Sequence, residues 1–330
     1  MTAVLVCLML LVPATVACLY YLVLTTVGWR CGRAIPRSEP AHTFAVVIPA
    51  HNEELGLTAT VRSVLASDYP ADRLRVLVVA DNCTDGTAAV ARRLGVDVIE
   101  RHDPANRGKG YALAMAIPQA LAAGADAVMV LDADCELGRD TLRQMDAALA
   151  HDGAVQAARI PRNPDAGPAA VVQAVGSAIE NAVSAGRCRL GGSAALRGSG
   201  MAFTRAVLER HPWAHYGLTE DAEYAAELAR GGVRVRFLPD AAVRGEVPAE
   251  VSALARQRKR WRAALYGSGP GLFGRWLASK PLVLAQMVLT VMAVGVLAAW
   301  LPAGFLLWAA ALIGLTAVVY LRAVRRAGVG

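Results

Sequence analysis

Charge is scarce in this 330-residue chain: Asp, Glu, Lys and Arg make up 18 % of it against 55 % hydrophobic residues, too apolar a balance for a wholly soluble globule. From Met1 to Trp29 there is no charged side chain at all. The six cysteines, at positions 7, 18, 31, 83, 135 and 188, form no CxxC pair, which argues against a disulfide framework or a zinc ribbon and points to a reducing compartment. Aromatic residues are few, at 6 %, and the basic excess, a net charge of +7, gathers beside the apolar segments and in the run Arg256 to Arg262. Nucleic-acid binding would interleave basic and aromatic side chains, so nucleic acid is set aside as a partner and anionic membrane lipid takes its place. A G-x-S-x-G nucleophile elbow is also missing.

The apolar stretch from about Ala3 to Gly28 exceeds the roughly 20 residues that span a bilayer. It has no basic segment before it, while Arg30, Arg33 and Arg37 follow it, so residues 1–29 read as an anchor rather than a cleaved signal, with its C-terminal side in the cytoplasm. Pro281 to Leu301 and Ala303 to Leu321 are two more uncharged spans, joined by a Leu-Pro-Ala-Gly turn into a hairpin over 281–321. Arg275 and Lys280 precede the hairpin, and Arg322, Arg325 and Arg326 follow it. The expected topology is a multi-pass protein of the cell membrane with everything between residues 30 and 280 in the cytoplasm.

Between the spans, apolar β-branched runs alternate with Ala-rich stretches. Strands are expected at 44–50, 74–80, 96–99 and 127–131, and helices at 54–66, 84–94, 109–123 and 139–150. Continuous apolar strands alternating with helices imply a mostly parallel α/β sheet covered on both faces, with ligands beyond the carboxyl ends of the strands. The polar motifs fall at those ends: His51-Asn52-Glu53-Glu54 after the first strand, Asp81 after the second and Asp132-Ala133-Asp134 after the last.

Asp132 and Asp134 at i, i+2 in extended chain project to one side, where two carboxylates meet one Mg²⁺-like cation; the alternative is an Asx-type turn. Asn106-Arg107-Gly108-Lys109-Gly110 offers a cation and flexible amides for phosphate, or a helix-initiating turn, and is neither a P-loop nor a G-x-G-x-x-G. Thr219-Glu220-Asp221 opens a helix to about Arg230, placing acidic groups at the positive end of the dipole and a candidate general base among them. Gln257, Arg260 and Trp261, at i, i+3 and i+4, share a helix face that suits a ligand, while the surrounding cations suit an anionic membrane. His211 and His215 have H-x₃-H spacing, but Pro212 and the lack of a nearby third ligand argue against a metal.

In order, Val47 to Glu53, Asp81, Asp132-Ala133-Asp134, Gly198-Ser199-Gly200, Thr219-Glu220-Asp221 and Gln257 to Trp261 resemble the membrane-bound family 2 glycosyltransferases, the group of cellulose, chitin, hyaluronan and poly-N-acetylglucosamine synthases. The resemblance implies a GT-A fold over 42–248, an interfacial helical region over 249–280, a nucleotide-sugar donor, usually UDP-linked, Mg²⁺ or Mn²⁺, and inversion at the anomeric carbon. Carried over by position, Asp81, Lys109, Asp132, Gln257, Arg260 and Trp261 would bind donor, and Asp132 and Asp134 metal. Asp221 would be the base, with Gly198, Ser199, Gly200 and Trp261 on the acceptor side. Two departures stand out. Many relatives have paired Asp where this chain has Ala80-Asp81, and polymer-secreting relatives have more membrane helices, so a pore would need a second copy or a partner subunit. Transfer to a saccharide or lipid-linked acceptor therefore competes with processive polysaccharide synthesis, and a non-catalytic scaffold or transport component with the same fold is the alternative from outside enzymology.

Overall fold

The computed structural model describes residues 2–30, 39–250, 252 and 303–329. Arg33, Arg37, Gln257, Arg260, Trp261 and the first hairpin span, 281–301, lie outside the described residues.

Eight strands form one sheet: β1 (Phe44–Ala50), β2 (Leu74–Asp81), β3 (Asp97–Arg101), β4 (Ala127–Val130), β5 (Cys135–Leu137), β6 (Ala154–Pro161), β7 (Met201–Thr204) and β8 (Val235–Gly245). Their order is β3-β2-β1-β4-β7-β6-β8-β5. The first four positions are parallel, as the alternating pattern predicts. Beyond β4 the sheet turns mixed, because β7 enters antiparallel to both β4 and β6, and β5 pairs antiparallel with β8. The helices are α1 (Thr2–Trp29), α2 (Leu57–Leu65), α3 (Thr87–Arg93), α4 (Lys109–Ala122), α5 (Thr141–Leu149), α6 (Pro168–Arg189), α7 (Arg205–Arg210), α8 (Glu220–Arg230) and, next among the described residues, α9 (Ala303–Ala327).

Strand β1 shows why the sheet sits inside. Phe44, Val46 and Ile48 pack into one core layer with Leu57 and Val61 of α2 and Leu142 and Met145 of α5, while Ala45 and Val47 face the other layer with Leu113 and Ile117 of α4 and Tyr224 of α8. Side chains alternate across a strand, so an unbroken apolar run requires cover on both faces. Parallel register then aligns the carboxyl ends: Ala50 lies beside Ala80, and Val47 beside Val130. This is how three distant acidic motifs reach one rim. The structure shifts two details. Asp81 is the last residue of β2 rather than a loop residue, and Asp132 to Cys135 forms a turn, closed by the Cys135 N–H on the Asp132 carbonyl at 3.1 Å, because the chain must reverse into β5.

Two described helices are long and apolar enough to cross a membrane by length and composition: α1 over Leu11–Trp29 and α9 over Leu306–Ala327. Both pack on α6, where Val175, Ile179 and Val183 meet Leu24, Val319 and Ala323. The contact is close enough that a β-carbon at Gly28 would lie 1.9 Å from the Ala182 carbonyl oxygen, and one at Gly186 would lie 2.1 Å from that of Leu24. Small residues are what permit such backbone approach between helices. Arg187 Nε adds a 2.8 Å hydrogen bond to the Tyr20 hydroxyl.

The contrast with Gly176 on the same helix, where an added β-carbon meets nothing within 4 Å, provides a test. Gly186→Ala should lower the melting temperature of the detergent-solubilised protein by an amount equivalent to about 1–3 kcal/mol, the usual cost of overpacking. Gly176→Ala should leave it unchanged or slightly higher, since Ala favours helix over Gly. Equal effects of the two variants would show that α1 is not seated on α6 as described.

Candidate active site

The rim is built from four pieces, each fixed by a local feature. At the end of β1, Asn52 adopts φ 56°, and at the end of β2, Asn82 adopts φ 52°, the left-handed region that Asn tolerates better than most side chains. Asn52 Oδ1 accepts the Thr84 N–H at 2.8 Å and Asn82 Oδ1 accepts that of Asp103 at 2.8 Å, so the two strand ends are tied to their neighbouring loops. His51 Nδ1 meets the Asp81 carbonyl at 2.8 Å.

Asp81 is not an open carboxylate. Arg101, at the end of β3, donates from Nη1 to Asp81 Oδ1 at 2.6 Å and to the Asn106 carbonyl at 2.7 Å, and from Nη2 to Asp103 at 2.9 Å. Asn82 Nδ2 and the Gly108 N–H complete the set around Asp81 at 2.9 and 3.4 Å. Arg101 and Asp81 are both buried, and the guanidinium lies 5.4 Å from the centre of the Tyr111 ring, which in turn stacks on Tyr216 at 4.5 Å. The sequence reading missed Arg101. Its signal was present only in the register, which sets Arg101 opposite Asp81.

Lys109 opens α4, and its ammonium reaches the Asp132 carboxylate and, at 2.6 Å, the Gly198 carbonyl. Gly198 has φ +73°, and a β-carbon there would lie 3.3 Å from Lys109 Nζ and 3.6 Å from Asp221 Oδ2, so Lys109 and Asp221 flank the same point of the turn. Glycine suits this position on both counts. The three turn residues are buried, and Ser199 Oγ accepts the Asp132 backbone N–H at 3.0 Å. Beneath them Gln156, also missed by the sequence reading, donates to the Ser199 and Gly200 carbonyls at 2.9 and 3.3 Å and accepts the Arg197 N–H at 3.0 Å. The loop before α8 presses on the first turn of α4, where a β-carbon at Gly110 would fall 2.1 Å from the His215 carbonyl oxygen, and this brings the start of α8 beside Lys109.

Electrostatics follow from that crowding. For Lys109, burial opposes the charge, but Asp132, Glu220 and Asp221 outweigh it and hold the ammonium above the ordinary lysine range. For Asp132, burial opposes ionisation, and Lys109 outweighs it and pulls the carboxyl below its usual value. Burial pushes Asp221 and Glu220 upward, with Lys109 pulling the other way. Glu53 is raised by burial and then by Asp134, Asp85 and Asp132, which shows it facing the same acidic turn.

Asp132, Asp134 and Cys135 present ligand atoms within 4.8 Å of one another. Burial pushes the Cys135 thiol up to about 12, so it stays neutral, and the two carboxylates are what the group offers a cation. Oxygen donors beside a further carboxylate, Glu53, fit a hard divalent ion such as Mg²⁺ or Mn²⁺ and do not fit a soft metal.

The chain as a whole resembles known proteins. The model of the family described as "Glycosyltransferase like family 2" matches residues 40–264. The β-monoglucosyldiacylglycerol synthase of Synechocystis sp. is 28 % identical over 251 residues, covering 74 % of this chain and 52 % of that protein. The poly-β-1,6-N-acetyl-D-glucosamine synthase of Staphylococcus aureus strain COL is 27 % identical over 221 residues, covering 65 % and 52 %. The chain thus spans about half the length of these curated relatives. Among solved structures, the mannosyltransferase PcManGT from Pyrobaculum calidifontis, in complex with GDP-Man and Mn²⁺, superposes with a TM-score of 0.58 at 24 % identity, covering 96 % of this chain and 97 % of that one. The shared fold is the mixed α/β sheet of GT-A proteins.

The buried Arg101–Asp81 pair gives a prediction independent of any assay of turnover. Arg101→Met leaves a buried carboxylate without its cation and should destabilise the protein by about 3–5 kcal/mol, whereas Arg101→Met combined with Asp81→Leu should recover much of the loss. Thermal unfolding of the three proteins checks this, and an Arg101→Met variant as stable as wild type would contradict the pairing.

Proposed function

The chain belongs to glycosyltransferase family 2, and from that premise we propose that it is an inverting enzyme that moves a sugar from a nucleotide sugar, UDP-linked by the family pattern, to a saccharide or lipid-linked acceptor at the cytoplasmic face of the membrane. The observation that carries the reading is the convergence of Lys109, Asp132, Asp134, Gly198 and Asp221 on one rim from four separate segments. A scaffold would have no need of it.

In this reading the acceptor hydroxyl attacks the anomeric carbon in line, the bond from that carbon to the diphosphate oxygen breaks, and the hydroxyl proton passes to Asp221. Burial that raises Asp221 makes it a stronger base than an ordinary aspartate. A divalent cation held by Asp132 and Asp134 would supply charge neutralisation for the departing diphosphate. Lys109 holds Asp132 in place and adds positive charge beside it. Asp81, braced by Arg101, is assigned to the nucleotide, and Gln257, Arg260 and Trp261 to the donor diphosphate and acceptor. The seating of α1 and α9 on α6 supports a membrane-side acceptor, as does the name of the Synechocystis relative, a glucosyldiacylglycerol synthase. In this topology the basic ends of α1 and α9 face the cytoplasm and the protein is multi-pass.

Asp221→Asn should lower kcat by about 10²–10⁴, the range of a lost general base, with donor affinity within twofold of wild type. In the wild type the acid limb of kcat/KM should lie above about 4, the ordinary aspartate value, because the base must be ionised and burial raises its pKa. Near-normal turnover in the variant, or a limb at or below that value, would remove Asp221 from the role. Asp134→Ala should instead abolish the gain in donor affinity that Mg²⁺ or Mn²⁺ brings, read by calorimetric titration with and without metal. An unchanged gain would place the metal elsewhere.

A further inference from the structure

Thr26 and Trp29 of α1, Arg30 just past its end, and Arg322, Arg325 and Arg326 of α9 line a cavity of about 310 Å³ where the two helices end together. Arg322, Arg325 and Arg326 stand at i, i+3 and i+4 and Thr26 and Trp29 at i and i+3, so each helix turns one face to the cavity, with Arg30 following from the end of α1. We propose that this cavity binds the phosphate of an anionic membrane phospholipid, as a site separate from the donor rim. The proposal rests on the membrane reading above and adds to it a specific ligand and place.

Charge is the first support. The chain contains no Asp or Glu before Glu39 and none between Glu250 and Gly330, so no acidic side chain on either helix is placed to neutralise the four guanidinium groups. Among the described residues, no ion pair joins any of these arginines to a carboxylate. One contact is internal: Arg326 Nη2 donates to the Trp29 carbonyl at 3.1 Å, capping the end of α1. A basic flank is what orientation in a membrane requires, but orientation does not require arginines from two helices to converge on one cavity. Like charges so gathered repel, and an anion rich in acceptor oxygens relieves the repulsion with bonds that match the guanidinium fork.

The surroundings favour a lipid over a free phosphate. Directly above the cavity, Leu24 packs with Val319 and Ala323, and Val23, Val318 and Leu321 leave apolar surface exposed along the same turns. An amphiphile can place its phosphate among the arginines and its chains along that surface, with Trp29 at the level where aromatic residues meet headgroups. The site is also connected to the rim. α6, on which both helices sit, holds Arg197 through Asn181 at 2.9 Å and Ser184 at 3.0 Å, and Arg197 precedes Gly198, whose carbonyl receives Lys109.

The test uses the full chain. Wild type, the triple variant Arg322→Gln/Arg325→Gln/Arg326→Gln and the single variant Arg30→Gln at the end of the other helix are floated with vesicles of phosphatidylcholine alone or mixed with phosphatidylglycerol. Each is then released into mild detergent and examined by native mass spectrometry for retained lipid. Wild type should retain phosphatidylglycerol in preference to phosphatidylcholine, and each variant should lose that preference about tenfold, as expected on removing charge-assisted hydrogen bonds. Inorganic phosphate should not displace the retained lipid. Equal retention of both lipids by wild type, unchanged preference in the variants, or displacement by inorganic phosphate would overturn the site while leaving the glycosyltransferase reading intact. Failure of wild type to float with either vesicle would overturn the membrane reading together with it.

Discussion

The bond from Lys109 to the Asp132 carboxylate and the Gly198 carbonyl is the interaction on which the rest of the site depends. It joins the start of α4, the end of β4 and the turn before β7, three places that share no local sequence. Because burial alone would disfavour both charges, each is kept ionised by the other, with the carboxylates of α8 adding support for Lys109 and Arg159 adding support for Asp132. Strands β1, β2 and β4 bring the carboxylates to one edge, and this cation allows them to stay there. Asp132, Glu220 and Asp221 act on one lysine, and Glu53 faces Asp132 and Asp134, a gathering of negative charge suited to a divalent cation.

A second constraint acts from below. α6 belongs to the globular part by its packing on Phe237 and Val235 through Cys188, and to the helix bundle by Val175, Ile179 and Val183. The glycine contacts at Gly28 and Gly186 leave α1 little freedom to slide on it. A rim fixed in this way keeps a constant relation to the helices, which is what the proposed transfer to a membrane acceptor requires.

Much of the fold was legible because parallel strands buried on both faces must be written as unbroken apolar runs such as Phe44 to Ile48, and because polar residues immediately after them must land on one rim. Asp81, Lys109, Asp132, Asp134 and Asp221 could be singled out on that ground together with the family pattern. What escaped depends on pairing between distant segments. β5 and β7, of three and four residues, are too short for a periodic signal, and β6, Ala154 to Pro161, has small and polar residues that resemble loop or helix. Arg101 belongs to no motif, and only the register sets it against Asp81. Gln156 had no motif at all, and its role exists only because β6 passes beneath the Gly198 turn.

The central claim is that this rim transfers sugar from a nucleotide donor at a membrane. The most direct measurement incubates the purified full chain, in native-lipid membranes with Mg²⁺ or Mn²⁺, with a panel of radiolabelled UDP- and GDP-sugars, and separates organic extract from polymer. The account predicts that at least one donor gives metal-dependent label in lipid or saccharide product, lost on chelation and restored by adding the metal back. Label in no fraction from any donor, from protein shown to be folded and embedded in the membrane, would contradict it.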